Sequence, residues 1–158
     1  MSPRDGTGYS IEAQGNLLFF GAFLYDASAL LWRLTLAGAD VGTRWSALAE
    51  RWAPFAGDGH YAFSDWHAAM AFVGAGREDL LQTLLQAQAD AMTRSDDNAA
   101  FTSEVGFAAT RAFIAYGQQD WARAVALLRK AGYERAHALA GGLAAWREAN
   151  LPVEKSAA

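Results

Sequence analysis

Apolar positions along the chain recur at helical spacing, and alternating runs of period two are missing over any useful length. β-branched residues are few, while Ala, Leu, Gln, Arg and Trp dominate. The pattern predicts an all-α chain cut into short helices by its punctuation. Ser10 caps a first helix through Phe19 and Phe20, and a second over residues 26–37 stops at Gly38. A third covers residues 43–53 and ends before Pro54. Ser64 caps a helix over residues 65–73, which gives way to a turn at Gly74, Ala75 and Gly76. Residues 77–92 form the longest polar-faced helix, with Glu78 and Asp79 in the first turn, where the macrodipole favours acids. Thr102 or Ser103 caps a helix reaching Tyr116, and Asp120 caps one that ends in Arg129 and Lys130 before Gly132.

Paired short helices with short turns raise the question of a period. Trp45, Leu48 and Trp52 share a spacing with Leu81, Leu84 and Gln88, and with Trp121, Ala124 and Leu128, at intervals of 36 and 40 residues. Each triplet lies on the second helix of a pair. Trp121 and Ala124 fit this spacing physically: the aromatic fills the gap between the helices of one hairpin, and the small alanine lets the next helix approach. Both are expected in the hairpin core. Gln88 departs from the apolar register.

Composition narrows the chemistry. With 158 residues and 53% hydrophobic content, one domain can bury a sizeable core. Charged residues make up 19% and the net charge is −4, so there is no basic footprint for nucleic acid or anionic lipid. The chain has no cysteine, which removes disulfides, thiolate metal sites and thiol nucleophiles together. The most apolar window, residues 17–36, carries Asp26 and Arg33; either charge near a bilayer centre costs about 2.5 to 3.5 kcal/mol, so a buried helix is expected and not a membrane span. The first residues lack the basic-then-apolar pattern of a secretory signal, and a cytoplasmic protein is expected, with short flexible tails over residues 1–9 and 151–158 flanking one helical-repeat domain over residues 10–150.

Three residues invite a functional reading: His60, Asp65 and His67, within GHYAFSDWHAAM. Seven residues along one helix is two turns, so the two histidines would stand about 10.5 Å apart, too far to share a zinc. The glycines at 57 and 59 put His60 in the preceding loop, from which it would have to fold back to complete a site. No His-x3-His or His-Glu-x2-His pair is present. The expectation is therefore a packing role for His67 and a helix start at Asp65, with no metal and no cofactor. The glycines at 74 and 76 follow a helix, lack the Gly-Lys-Ser/Thr ending, and open a helix beginning Arg-Glu-Asp, so they read as a hairpin turn and not a phosphate loop.

Three stretches, DASALLWRLTLAGADVGTRWSALAERWAP, HYAFSDWHAAMAFVGAGR and NAAFTSEVGFAATRAFIAYGQQDWARAVALL, resemble the C-terminal half of the tetratricopeptide repeat protein 38 family over about residues 24–128. The resemblance implies a helical-repeat protein and attaches no reaction to it. From Ala131 onward, AGYERAHALAGGLAAWREANLPVEK resembles the last strand, turn and helix of a rhodanese domain. Persulfide transfer by that family's route needs a cysteine thiolate, which this chain lacks. A lone strand at 133–139 would also leave its backbone groups unpaired, at about 1 to 3 kcal/mol for each one buried. Helix or coil is expected there, then a break at Gly141 and Gly142 and a short helix over residues 143–149 that docks Leu143 and Trp146 as a cap.

The expected architecture is thus all-α: a tetratricopeptide-like stack of about three antiparallel helical hairpins with a C-terminal helix. The expected role is a non-catalytic scaffold for a protein or peptide partner, with self-association through an uncovered end of the stack. A hydrolase or metal-binding protein built on His60, Asp65 and His67 is one alternative. A spliced or designed chain with a fold but no selected function is another, because two resemblances meet near Arg129 and Lys130.

Overall fold

The structure, a computed structural model, describes residues 11–137, with side chains from Phe23 onward. Among these residues the chain is helix, turn and coil, with no strand. The elements are α1 (Ile11–Leu36), α2 (Arg44–Trp52), a 3-10 turn (Ala53–Phe55), α3 (Ala62–Ala75), α4 (Glu78–Ala91), α5 (Asp97–Phe101), a π turn (Thr102–Gly106), α6 (Phe107–Gly117) and α7 (Trp121–Lys130). The helices form an all-α stack of pairs: α1 with α2, α3 with α4, and α5–α6 with α7. The middle of the stack is α3, which packs against α1, α2, α4 and α6.

The first helix of every pair stops in the same way. Gly38 N–H bonds to the Thr35 carbonyl and Ala39 N–H to that of Leu34; Gly76 and Arg77 repeat this on Val73 and Phe72, and Gln119 and Asp120 on Tyr116 and Ala115. Each is a Schellman stop, in which a residue of positive φ satisfies the last carbonyls and turns the chain. Gly38 (φ 78) and Gly76 (φ 66) take that conformation without a Cβ penalty, whereas Gln119 (φ 60) does not.

Pair geometry follows from a few side chains. Trp52 donates its indole N–H to Ser28 Oγ at 3.0 Å, and Trp45 donates to Thr35 Oγ1 at 3.1 Å. As the number rises along α2 it falls along α1, so the two helices run antiparallel, and a polar acceptor spaced seven residues apart on α1 matches two tryptophans spaced seven apart on α2. Between pairs the contacts are closer. A Cβ on Gly106 would meet the Ala62 Cβ at 2.6 Å, and one on Gly117 would run into Val73. The partner numbers rise together, so α3 and α6 run parallel, with small residues at both crossings. Gly74 does the same for α2 and α3, since its face lies on the Trp45 ring. The core gathers Trp45, Leu48 and Trp52 from α2, Ala68, Ala69 and Phe72 from α3, and Leu81 and Leu84 from α4.

Several local expectations are corrected. The first two predicted helices are one: α1 runs through Gly15 and Gly21, no proline interrupts it, and Asp26 points to solvent while Ser28 and Leu31 on the opposite side are buried. Nor is α1 a buried helix throughout, since Leu30 is 55% and Leu34 37% exposed. No helix among the described residues is long and apolar enough to cross a membrane. Ser64 is not a cap; α3 starts three residues earlier than expected, at Ala62, because Asn98 Oδ1 accepts from the Ala62 N–H at 3.0 Å, and Ser64 Oγ instead meets the Tyr25 hydroxyl at 2.9 Å. The cap expected at Thr102 or Ser103 lies at Asp96, whose Oδ1 accepts from Ala99 N–H at 2.7 Å.

Asp120 caps α7 through the Arg123 N–H, and Ala124 is buried at 5%. Trp121 departs from its expected core position. It is 39% exposed, and its ring meets Tyr116 edge-on at 4.9 Å. The equivalent Trp45 is covered by α1 on one side and α3 on the other, but among the described residues no helix follows α7 to close over Trp121. Residues 133–137 are turn and coil. The tails, the Gly141–Gly142 break and the helix expected over 143–149 lie outside the described residues.

Candidate functional site

The three residues singled out by sequence do not converge. His60 is exposed in the loop before α3, and that loop is pinned from below: the Gly59 carbonyl accepts from Arg94 Nη2 at 2.6 Å and from Asn98 Nδ2 at 3.3 Å. Gly59 itself (φ 53) lies on the Ala87 carbonyl, where a Cβ would come within 2.6 Å. Asp65 and His67 are two residues apart on α3 and so project about 200° apart. They belong to different interfaces.

Asp65 is 4% exposed and faces α4 and α6. Gln88 Nε2 donates both to Asp65 Oδ2 at 3.1 Å and to Thr110 Oγ1 at 3.0 Å, which joins three helices through one amide. Burial pushes the Asp65 carboxyl up to about 6, against the Gln88 hydrogen bond, which favours the ionised form; Asp58 adds to the rise and His60 and Arg94 oppose it. His67, 8% exposed, faces the other way. Its ring lies against Phe63 at 4.5 Å and Tyr25 at 5.2 Å, and its Nδ1–H donates to the Phe63 carbonyl at 2.8 Å, because a carbonyl only accepts. Burial holds its pKa below the ordinary histidine value. Among the described residues no three His, Asp or Glu side chains gather as a metal would require.

Around this helix the structure assembles a feature that sequence reading missed. Phe101 of α5 stacks on Trp66 at 5.9 Å, Trp66 meets Phe63 at 5.7 Å, and Phe63 meets Tyr61 at 5.8 Å and Tyr25 of α1 at 5.4 Å. The row crosses the first helices of all three pairs. Tyr61 is 54% exposed, Phe63 37% and Phe101 38%, so its outer edge is open to solvent. Within it the Trp66 indole N–H is buried and has no hydrogen-bond partner among the described residues. Asp97 and Glu104, both exposed, lie one turn before and after Phe101. The aromatics stand out in the sequence, but their convergence depends on α3 and α5 starting side by side, which Asn98 arranges from a distance of 36 residues.

Further along the stack the aromatics turn inward. Trp32 of α1 meets Phe113 at 5.2 Å and Tyr116 at 5.3 Å on α6, bridging the first and third pairs. These rings pack against one another across the pairs, whereas Tyr61, Phe63 and Phe101 keep an edge open to solvent.

Fold and site together define an all-α protein of stacked helix pairs with an exposed aromatic edge. No family model matches the chain, and no solved structure matches it.

Proposed function

We propose that the chain is a non-catalytic, cytoplasmic helical-repeat scaffold that binds a protein or peptide partner. The observation that carries this reading is the aromatic row, whose solvent-open rings come from adjacent helices. Aromatic side chains offer large contact area at low conformational cost and dominate binding hot spots. The likeness of residues 24–128 to the tetratricopeptide repeat protein 38 family supports it, as does the repeated helix stop at Gly38, Gly76 and Gln119. Burial of Asp65 and His67 in separate interfaces weighs against the hydrolase or metal reading. The test is selection from a displayed peptide library on the whole chain. Enriched sequences that bind the parent and lose binding to the Phe63→Ala/Phe101→Ala variant are expected. No enrichment, or equal binding by the variant, would refute the proposal.

A second reading, self-association through the open end of the stack, has its own observation in the exposed Leu30 and Leu34 of α1.

A further inference from the structure

The outer side of α1 carries Phe23, Leu30 and Leu34, with Ala27 at its inner edge partly buried against the chain's own core; the four are spaced four, three and four residues apart, which is the seam of a two-stranded coiled coil. Leu30 and Leu34 are 55% and 37% exposed, and the buried residues Ser28 and Leu31 face α2 and the core instead. The exposed part of the seam runs about 16 Å at 1.5 Å per residue. In this register Asp26 and Arg33 occupy equivalent flanking positions one heptad apart. Both are exposed, and neither forms an ion pair among the described residues.

We infer that the occupant of this seam is a second copy of the chain, laid antiparallel so that Leu34 opposes Phe23, Leu30 opposes Ala27, and Asp26 of each copy faces Arg33 of the other. This rests on the self-association reading above and gives it an orientation. Charge decides that orientation. In a parallel pair the position opposite Asp26 is taken by Leu31, which is buried in its own core, and the charges find no partner. In the antiparallel pair two-fold symmetry makes both Asp26–Arg33 contacts at once.

The experiment is sedimentation equilibrium of the whole chain at micromolar concentration, with circular dichroism as the check on folding. The parent should dimerise, and Leu30→Glu should remain folded and monomeric. Asp26→Arg puts arginine opposite arginine, and Arg33→Asp puts aspartate opposite aspartate, so each alone should weaken the dimer about tenfold or more. Mixed together, these two variants regain both opposite-charge contacts, and the heterodimer should form with nearly the parent affinity. A monomeric parent would overturn the inference, as would single charge variants that pair like the parent or a mixture that fails to recover. None of these results bears on the peptide selection, which reads the Phe63 and Phe101 edge.

Discussion

Replacing Asp65 by asparagine should stabilise the protein at neutral pH. The carboxyl is 4% exposed, and its pKa rises from 3.8 to about 6 because burial disfavours the charge. Between those values the folded chain binds more protons than the unfolded chain, so stability falls as pH rises through that window and levels off above it. At 1.36 kcal/mol per pKa unit, the ionised carboxylate costs about 3 kcal/mol at pH 7. Asparagine is of the same shape and keeps an oxygen to accept from Gln88 Nε2, but carries no charge to desolvate. Urea denaturation followed by tryptophan fluorescence, repeated from about pH 4 to pH 7, measures the difference. The variant should gain about 1 to 3 kcal/mol at pH 7 and almost nothing near pH 4, where Asp65 is itself neutral in the folded state. A gain independent of pH, or a loss at pH 7, would show that the carboxylate is better satisfied than its burial implies.

Ser28→Ala should cost about 1 to 3 kcal/mol in the same urea assay, because it strands the buried Trp52 indole N–H; no loss would mean the indole finds another acceptor. Gly74→Ala should lower the melting temperature through about 1 to 3 kcal/mol of overpacking, since its Cβ would enter the Trp45 ring, and an unchanged melt would contradict the close approach of α2 and α3. Gln119→Gly should raise stability by about 0.5 to 1 kcal/mol by relieving a side chain at φ 60, whereas a drop in the melting curve would show that the glutamine contributes more than its strain costs.

What the sequence by itself determined is what short-range chemistry controls. Helix is favoured by composition and periodicity, Gly38 and Gly76 stop helices because they take positive φ without strain, and Asp120 caps its helix with its own side chain. The spacing shared by Trp45, Leu48 and Trp52 with Leu81, Leu84 and Gln88 placed two second helices in their pairs, and all six residues are buried. Gln88 was legible only as an irregularity. A polar residue in an apolar register is the mark of a buried partner, but Asp65 and Thr110 lie more than 20 residues away in either direction, and only packing brings them to one amide. Where α3 begins was likewise settled from outside, by Asn98, which overrode the local claim of Ser64. The same holds for exposure. Trp45 and Trp121 share one pattern, yet one is buried and the other half open, because coverage depends on which helices stand on either side. Tertiary structure therefore decided the separation of His60, Asp65 and His67, the aromatic edge and the open seam on α1, since each depends on which surfaces meet and not on which residues follow one another.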